Sequence, residues 1–424
     1  MRQMKYSGIE WIGDIPEEWK TLRIQFCLDE IVEKNDPIQT TQILSLMKDR
    51  GVMLYDEKGD IGNKAKEDCR EYKIAYPNTL IVNSMNILIG SVGISNYFGC
   101  VSPVYYVFKE TNLSELRFVN YIFNTTAFQK ELRRYANGIL EIRLRISSNN
   151  IFKRKIPLPN KIMQIKIADF LDEKCAKIDR LIAHEQAMIE ELKAYKQSVI
   201  TEAVTKGLDE SVLMKDSGVE WIGKIPESWC LLATKRLFLV VSGATPQSDK
   251  SEFWDGGIKW ITPADYKTED IYVNGGKRSI TEAGLKSCNT TMIPPNNIIF
   301  SKRAPIGAVA INNSELCTNQ GCLACIAKED LAVKYFYYVM SVFTEQYELL
   351  GTGTTFKEIS LKDFKDFLMP YPHIQEQIQI ADYLDNECAG IDYLIAIKQQ
   401  KIEELKEYKK SLIYECVTGK KEVI

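Results

Sequence analysis

Residues 168–193 read ADFLDEKCAKIDRLIAHEQAMIEELK, and residues 381–406 read ADYLDNECAGIDYLIAIKQQKIEELK. The two segments agree at 17 of 26 positions, at an offset of 213 residues. A second pair, MKYSGIEWIGDIPEEW at 4–19 and MKDSGVEWIGKIPESW at 214–229, agrees at 12 of 16 positions at an offset of 210. The 424-residue chain is therefore a tandem repeat of a short motif, a long segment and a second conserved segment.

The second conserved segment is predicted to be a long helix with a coiled-coil seam. From Gln164 to Val204 there is no glycine or proline, and apolar residues recur every seven positions. Glu185 and Lys398 interrupt the seam at equivalent positions. A helix of about 40 residues is roughly 60 Å long, so burying both seams within one chain requires the two helices to run antiparallel. The predicted seam residues are Ala168, Leu171, Cys175, Ile178, Ile182, Ile189, Leu192, Val199 and Ala203, and in the second half Ala381, Leu384, Cys388, Ile391, Ile395, Ile402, Leu405, Leu412 and Cys416.

The short motif combines turn formers with apolar anchors. Gly8, Gly13 and Pro16 favour turns, and Trp11 and Trp19 stand between and after them. We expect an irregular segment held on a core by two tryptophans. A contact with a partner protein is the alternative use of these residues.

The two long segments, about 20–155 and 230–367, share almost no visible similarity. Both are predicted to mix strands with helices. Apolar runs bounded by Gly, Pro and Asn indicate buried strands at 79–82, 104–108, 298–301 and 323–327, and helical spacing covers 116–135 and 333–350. Repeated motifs around different inserts suggest one architecture that presents two recognition surfaces.

Composition excludes several classes of protein. The formal net charge of −3 is unlike that of a generic polycation, and no run of apolar residues reaches the ~18 to 20 that span a membrane. Residues 1–19 carry no apolar signal-peptide core. Eleven cysteines without regular spacing indicate reduced thiols and a cytoplasmic protein, and only two histidines argue against a multi-histidine metal site.

Motifs for catalysis are missing or incomplete. There is no P-loop, and residues 351–356 lack the last glycine of G-x-G-x-x-G. The prolines at 294–295 are in the wrong frame for the loop of an amino methyltransferase. Asp265-Tyr266-Lys267 is only half of a nuclease motif, and Cys322 and Cys325 lack a second ligand pair for zinc and lie in a predicted buried strand.

The repeated short motif and the repeated helix together form a doubled frame around the two long segments. This frame resembles the specificity subunit of type I restriction–modification enzymes. One departure from the family pattern is Met163-Gln164, where Glu-Gln is expected, and this should weaken an interaction at the start of the first long helix. The matching motifs are Ser217-Gly218-x-Glu220-Trp221-Ile222-Gly223-x-Ile225-Pro226 with its first-half copy, Pro370-x-Pro372-x-x-x-Glu376-Gln377-x-x-Ile380-Ala381-x-x-Leu384-Asp385, Ile402-Glu403-Glu404-Leu405, Gly99-x-Val101-Ser102-Pro103-x-Tyr105 and Asn319-Gln320-Gly321.

The resemblance implies an α+β fold. Two globular α/β target-recognition domains would be separated by a pair of long antiparallel helices, an intramolecular coiled coil, in a pseudo-twofold tandem repeat. The expected parts are the first motif with recognition domain 1 at 1–159, long helix 1 at 160–206, the second motif with recognition domain 2 at 207–372, and long helix 2 at 373–424.

The resemblance also implies a non-catalytic subunit that reads a split target in double-stranded DNA. Two modification (methyltransferase) subunits would dock on the repeated frame, and restriction (translocase and nuclease) subunits would join them. This chain would bind no cofactor; S-adenosylmethionine, ATP and Mg would belong to the partner subunits. No membrane partner is expected, and the location would be cytoplasmic. A coiled-coil scaffold with two ligand-binding heads and a stand-alone DNA-modifying enzyme are the alternatives.

Charge is distributed unevenly along the chain. The first long segment carries a net +5, the second carries 0, and the remainder carries −8. Residues 130–155 alone carry a net +6, so we expect a DNA contact there, with a solvated basic face as the alternative. In the second segment, Asn319-Gln320 could read adenine edges or form a turn. The full set of DNA-binding candidates is Lys130, Arg133, Arg134, Arg143, Arg145, Lys153, Arg154, Lys302, Arg303, Asn319, Gln320, Thr354 and Lys357.

Overall fold

The computed structural model describes residues 2–48, 50–59, 64–66, 68–137, 144–267, 269–303, 305–328, 330–353 and 357–423. The chain divides into two compact units. Unit 1 comprises residues 1–186 and 399–424, and unit 2 comprises residues 187–398. The boundaries between the units therefore fall inside the two long helices.

Unit 1 holds the first repeated motif and the first long segment. Its strands are β1 (Met4–Tyr6), β2 (Asp14–Pro16), β3 (Lys20–Arg23), β4 (Leu28–Ile31), β5 (Leu44–Met47), β6 (Gly51–Leu54), β7 (Lys73–Ala75), β8 (Thr79–Asn83), β9 (Val92–Ser95), β10 (Gly99–Val101), β11 (Tyr105–Glu110) and β12 (Lys155–Leu158). Its helices are α1 (Leu116–Phe123), α2 (Thr126–Arg133), α3 (Ser148–Phe152) and the first part of α4 (Lys161–Lys206).

Unit 2 begins within α4 and ends within the second long helix. Its strands are β13 (Met214–Asp216), β14 (Lys224–Pro226), β15 (Cys230–Ala233), β16 (Phe238–Ser242), β17 (Trp254–Ile261), β18 (Tyr272–Val273), β19 (Arg278–Ile280), β20 (Asn297–Ser301), β21 (Val309–Asn312), β22 (Cys317–Thr318), β23 (Cys322–Ala327) and β24 (Leu368–Tyr371). Its helices are α5 (Thr234–Leu237), α6 (Glu282–Lys286), α7 (Val333–Val342), α8 (Thr344–Leu350), α9 (Leu361–Asp366) and the first part of α10 (Ile374–Val417).

Each unit is built on one main sheet. The strand order is β4-β11-β8-β9 in unit 1 and β16-β23-β20-β21-β18 in unit 2. The four strands predicted from the sequence coincide with β8, β11, β20 and β23 to within two residues, and β8 and β20 are buried throughout. Alternating polar positions are absent from these two strands because both of their faces are covered.

The two predicted helical stretches each form two helices rather than one. The first stretch breaks between α1 and α2, where the Thr125 side chain accepts a hydrogen bond from the backbone N–H of Phe128 and caps the new helix. The second breaks at Phe343, between α7 and α8. The helical spacing was interpreted correctly, but the cap at Thr125 restarts the helix.

The long helices pair antiparallel within each unit. In unit 1, Lys401 Nζ lies 2.6 Å from Glu185 Oε1 and Lys409 Nζ lies 2.7 Å from Asp179 Oδ1. Higher residue numbers in α10 therefore pair with lower residue numbers in α4, as in an antiparallel pair. In unit 2, Lys196 Nζ lies 2.7 Å from Asp392 Oδ2. The seam is largely buried, and Glu185, only 4% exposed, is bound within it by Lys401. The predicted α+β class with antiparallel long helices is confirmed.

The repeated motifs are hairpins packed on the core. β1 pairs with β2 and β13 pairs with β14, while Trp19 and Trp229 are each 1% exposed. A glycine within two residues of the end of each long helix packs against a repeated motif. A Cβ on Gly419 would lie 2.4 Å from Pro16 Cδ, and a Cβ on Gly207 would lie 3.3 Å from Trp229. The predicted packing role is confirmed for these two tryptophans.

Equivalent contacts dock each domain on its long helices. The Gln164 side chain accepts from Glu115 N–H at 2.9 Å, and the Gln377 side chain accepts from Ala332 N–H at 3.1 Å. Both glutamines are fully buried. In the same two places the hydroxyls of Tyr121 and Tyr338 donate to Asp172 and Asp385, at 2.6 and 2.8 Å. The repeat therefore extends into segments whose sequences look unrelated.

Candidate nucleic-acid interface

Three candidate segments of unit 2 lie side by side. The backbone N–H of Lys302 donates to the carbonyl of Gly321 at 3.0 Å, and Ile359 N–H donates to the carbonyl of Lys302 at 3.1 Å. Thr352 and Glu358 pair across the base of the third segment, and Arg303 pairs with Glu358 as well. The structure thus brings together Lys302-Arg303, residues 319–321 and the described ends of the third segment, residues 352–353 and 357–358. We call this arrangement the three-loop surface.

Glu358 holds two of the basic candidates. Its carboxylate lies 2.7 Å from Lys302 Nζ and accepts a hydrogen bond of 2.7 Å from Arg303 Nε. Partial burial alone would raise the pKa of Glu358, but the hydrogen bonds from Lys302 and Arg303 keep that pKa below its usual value. One negative charge therefore offsets part of the two positive charges on this surface.

The amide candidates have different roles. The Asn319 side-chain oxygen accepts from Gly321 N–H at 2.9 Å and so forms a turn, which was the alternative interpretation of this residue. Gln320 is exposed and its amide oxygen accepts from the hydroxyl of Thr245. Lys357 is exposed, and Thr354 lies outside the described residues.

Sequence reasoning missed the turn that contains Thr245. A Cβ on Gly243 would lie 2.1 Å from the carbonyl oxygen of Thr318, so only glycine lets this turn approach the 319–321 segment. The run Ser242-Gly243-Ala244-Thr245-Pro246 carries the Gly and Pro signals of a tight turn and could have been noted.

Unit 1 contains the same backbone arrangement. Ser84 N–H donates to the carbonyl of Val104 at 3.3 Å, Ile146 N–H donates to the carbonyl of Ser84 at 3.1 Å, and Asn137 pairs with Arg145. Ser84 therefore occupies the place of Lys302, and Arg145 that of Glu358. By the same alignment, Met85 stands where unit 2 has Arg303. None of these first-unit loop residues except Arg145 was a candidate from the sequence.

The remaining basic candidates that the structure describes lie around α2 and α3, and Glu131 joins two of them. Lys130, Arg133 and Arg134 belong to α2 or follow it, and Lys153 and Arg154 follow α3; Lys130, Arg133 and Lys153 are exposed. Arg143 lies outside the described residues. Arg134 NH1 contacts Glu10 at 2.9 Å, and the Arg154 guanidinium lies 3.4 Å from the Tyr135 ring centroid. Both arginines also contact Glu131, so each already has an ion-pair partner within the chain. DNA binding by the candidates as a set stays a prediction.

Metal-binding groups do not cluster in the part of the chain that the structure describes. Cys322 and Cys325 lie in the buried strand β23, as the sequence indicated. Burial raises the pKa of Cys322 to about 12, so this thiol stays protonated at neutral pH. Across the same described ranges, no helix is long and apolar enough to cross a membrane.

Comparison with known proteins agrees with the resemblance found in the sequence. The model of the type I restriction modification DNA specificity domain matches residues 226–407. The specificity subunit of the type I restriction enzyme MjaIX from Methanocaldococcus jannaschii is 38% identical over 189 residues, which are 44% of this chain and 43% of that protein. Over these residues the chain is similar to the specificity subunits of type I restriction–modification enzymes, as the sequence motifs indicated.

Two further specificity-subunit comparisons cover nearly the whole chain. The MjaVIII specificity subunit of the same organism is 24% identical over 426 residues, which are 96% of this chain and 93% of that protein. A chain from a solved structure of a type I restriction–modification system superposes with a TM-score of 0.75 at 15% identity, covering 95% of this chain and 98% of that one. The predicted fold and the resemblance to specificity subunits are confirmed.

Proposed function

We propose that this chain is the non-catalytic DNA-reading subunit of a type I restriction–modification complex. It binds a split target in double-stranded DNA, with the domain of unit 1 on one half-site and the domain of unit 2 on the other. One observation carries the proposal: both units hold the same three-loop surface by the same backbone contacts, with different side chains on it. A shared scaffold with different side chains is what two different half-sites require.

The chemistry of the two surfaces fits DNA. Arg145 in unit 1 and Lys357 in unit 2 are exposed cations that suit phosphate oxygens. Gln320 offers an amide that suits the major-groove edge of adenine. The first long segment carries a net +5 and the second carries 0, so we expect unit 1 to contribute more of the salt-dependent affinity.

The same proposal covers the partners. Exposed apolar side chains recur at equivalent positions of the two long helices: Tyr195 and Tyr408 are 57% and 56% exposed, and Leu181 and Leu394 are 41% and 47% exposed. A duplicated surface fits two copies of one partner, here the two modification subunits. S-adenosylmethionine would be bound by them, ATP and Mg by the restriction subunits, and the complex would work in the cytoplasm.

Methylome sequencing tests this function directly. Cells that carry the chain with its modification subunits should show methylated adenines in one split motif, and cells with the modification subunits alone should not. The purified complex should bind that motif with a steep negative salt dependence. Methylation or cleavage by the chain alone would favour the stand-alone enzyme, and binding that is insensitive to salt would favour the scaffold.

The first-unit cations provide a focused control. Replacing Arg143 and Arg145 together by alanine should weaken DNA binding and reduce the salt dependence. Replacing Arg134 and Arg154 instead should change binding less, because both already contact Glu131. An unchanged affinity in the Arg143 and Arg145 double variant would remove both residues from the interface.

A further inference from the structure

Lys302 and Arg303 share one carboxylate but differ in what they offer to a ligand. Both side chains contact Glu358, yet the Lys302 side chain is 13% exposed and the Arg303 side chain is 44% exposed. Lys302 therefore lies against the domain, whereas the Arg303 guanidinium is accessible at the three-loop surface.

The contact with Glu358 uses only one edge of the guanidinium. Arg303 Nε donates to Glu358 Oε2 at 2.7 Å, and in the described part of the chain this is the hydrogen bond that the structure gives the side chain. The two terminal nitrogens form the opposite edge of the planar fork. That edge matches guanine O6 and N7, which lie together in the major groove. Because Nε is already held, less freedom is lost when the fork binds.

The ion cluster is not a requirement of the fold. In unit 1 the same backbone hydrogen bonds form with Ser84, Met85 and Arg145 at the positions of Lys302, Arg303 and Glu358. The loops therefore pack without a carboxylate between two cations. At the equivalent positions that the structure describes, the cluster forms in unit 2 and not in unit 1, which indicates a role in what the unit 2 surface binds.

We propose that Arg303 reads a guanine in the half-site bound by unit 2, and that Glu358 is the positioning residue that orients it. The proposal rests on the proposed function and adds one base pair to it. Adenine presents a donor where guanine presents O6, so the fork loses one hydrogen bond there. A good bidentate contact of this kind discriminates by roughly 5- to 150-fold.

The test uses the full chain with its modification subunits. The wild-type methylome gives the split motif, and the methylome of Arg303→Ala should become degenerate at one G·C pair of one half-site. Glu358→Gln keeps an oxygen that accepts from Nε but loses the ion pair. It should therefore reduce the preference for G·C at the same position, by a smaller factor than Arg303→Ala does. The other half-site should stay unchanged in both variants.

Arg236→Ala is the matched control. Arg236 is an exposed arginine of α5, and α5 precedes the end of β16 that lies away from the three-loop surface. It removes the same charge from the same unit and should leave the motif unchanged. Assembly with the modification subunits shows that each variant is folded, and Arg303→Lys, which keeps the charge but not the fork, replaces Arg303→Ala if that variant does not assemble.

The outcomes separate this inference from the proposed function. A wild-type chain that yields no split motif overturns both. A wild-type motif that persists unchanged in Arg303→Ala overturns the guanine contact alone. If Arg303→Ala abolishes methylation, competition binding decides: an equal loss on duplexes with any base pair at each position makes Arg303 a phosphate contact and overturns the inference, whereas a loss confined to duplexes with one G·C pair supports it.

Discussion

The three-loop surfaces of the two units share their backbone contacts but carry opposite charges at one position. Arg145 stands in unit 1 where Glu358 stands in unit 2. In unit 2 the carboxylate holds two cations, whereas the unit 1 position itself supplies a cation. The scaffold therefore depends on backbone hydrogen bonds that tolerate any side chain, and this leaves the surface residues free to differ between half-sites.

The contacts with the long helices show the reverse pattern. Gln164 and Gln377 make the same buried hydrogen bonds, and Tyr121 and Tyr338 bind equivalent aspartates. Here the side chains themselves form the scaffold, so they recur. Residues that are equivalent in the two units but differ chemically are therefore expected at the surface, and identical pairs are expected at the frame.

The largest effect is expected from the buried glutamines. Gln377 also donates to the carbonyl of Pro372 at 2.9 Å, so Gln377→Leu leaves a buried N–H and a buried carbonyl without this partner. Each such group costs about 1–3 kcal/mol, and the free energy of unfolding of unit 2 should fall by about 2–4 kcal/mol. Gln164→Leu should do the same in unit 1. Urea unfolding monitored by hydrogen exchange in α1 and α7 measures both changes. A loss of stability in one unit only would show that Gln164 and Gln377 are not equivalent in energy.

The next effect concerns a position at the start of the long helices that differs between the two units. The sequence predicted that Met163, in place of glutamate, weakens an interaction at the start of the first helix. The structure identifies that interaction in unit 2 as a hydrogen bond of 2.9 Å from Trp229 Nε1 to Glu376 Oε2. The equivalent pair in unit 1 is Trp19 and Met163, and a thioether cannot replace the carboxylate as a strong acceptor.

Exchanging these residues tests the difference. Glu376→Met should lower the thermal stability of unit 2 by about 1.5–3 kcal/mol, the range for a hydrogen bond to a charged group. Met163→Glu should raise the stability of unit 1 by a smaller amount, because desolvation of the new carboxylate offsets part of the gain. Calorimetry of both variants measures the two changes. A loss of stability in unit 1 would mean that its motif cannot accept the unit 2 contact.

Much of the frame, but little of the site, was predictable from the sequence. Heptads and apolar runs are local signals, and they located the long helices and the four strands. The correspondence of Ser84 with Lys302 was hidden because the offset between halves changes along the chain, from 210 at Trp19 to 217 at Val104 and 213 at Ile146. Insertions and deletions that nearly cancel leave the length intact but misalign the loops.

Charge along the sequence was a poor guide to the interface for a related reason. Arg134 and Arg154 counted toward a basic stretch, but Glu10 and Glu131 bind them in the fold. Glu10 is distant from both in the sequence. Which cations are available to DNA depends on tertiary partners, and a local sum of charges does not contain them.

A smaller effect is expected from exchanging the charges of Arg145 and Glu358, which stand at equivalent positions of the two three-loop surfaces. Arg145→Glu should weaken specific DNA binding by about tenfold, since it removes one cation and adds one anion at a screened surface. The slope of log affinity against log salt concentration should become shallower by about one, the value for one phosphate contact. Glu358→Arg should tighten binding and lose discrimination in the half-site of unit 2. Affinity measured at several salt concentrations checks both, and an unchanged affinity in Arg145→Glu would place that residue away from DNA.

The smallest effect concerns two ion pairs between the long helices that have the same geometry. Measuring them tests whether equal geometry gives equal coupling energy. Lys196–Asp392 and Lys409–Asp179 are the same ion pair in the two units, both at 2.7 Å, with lysines 26% and 29% exposed and aspartates 56% and 55% exposed. Exposed pairs of this kind contribute about 0.2–1 kcal/mol, and salt screens them. Double-mutant cycles with alanine should therefore give equal couplings that decline together as salt rises. Because neither pair touches a three-loop surface residue, unequal couplings would show that the two helix segments differ in stability even where their contacts are identical.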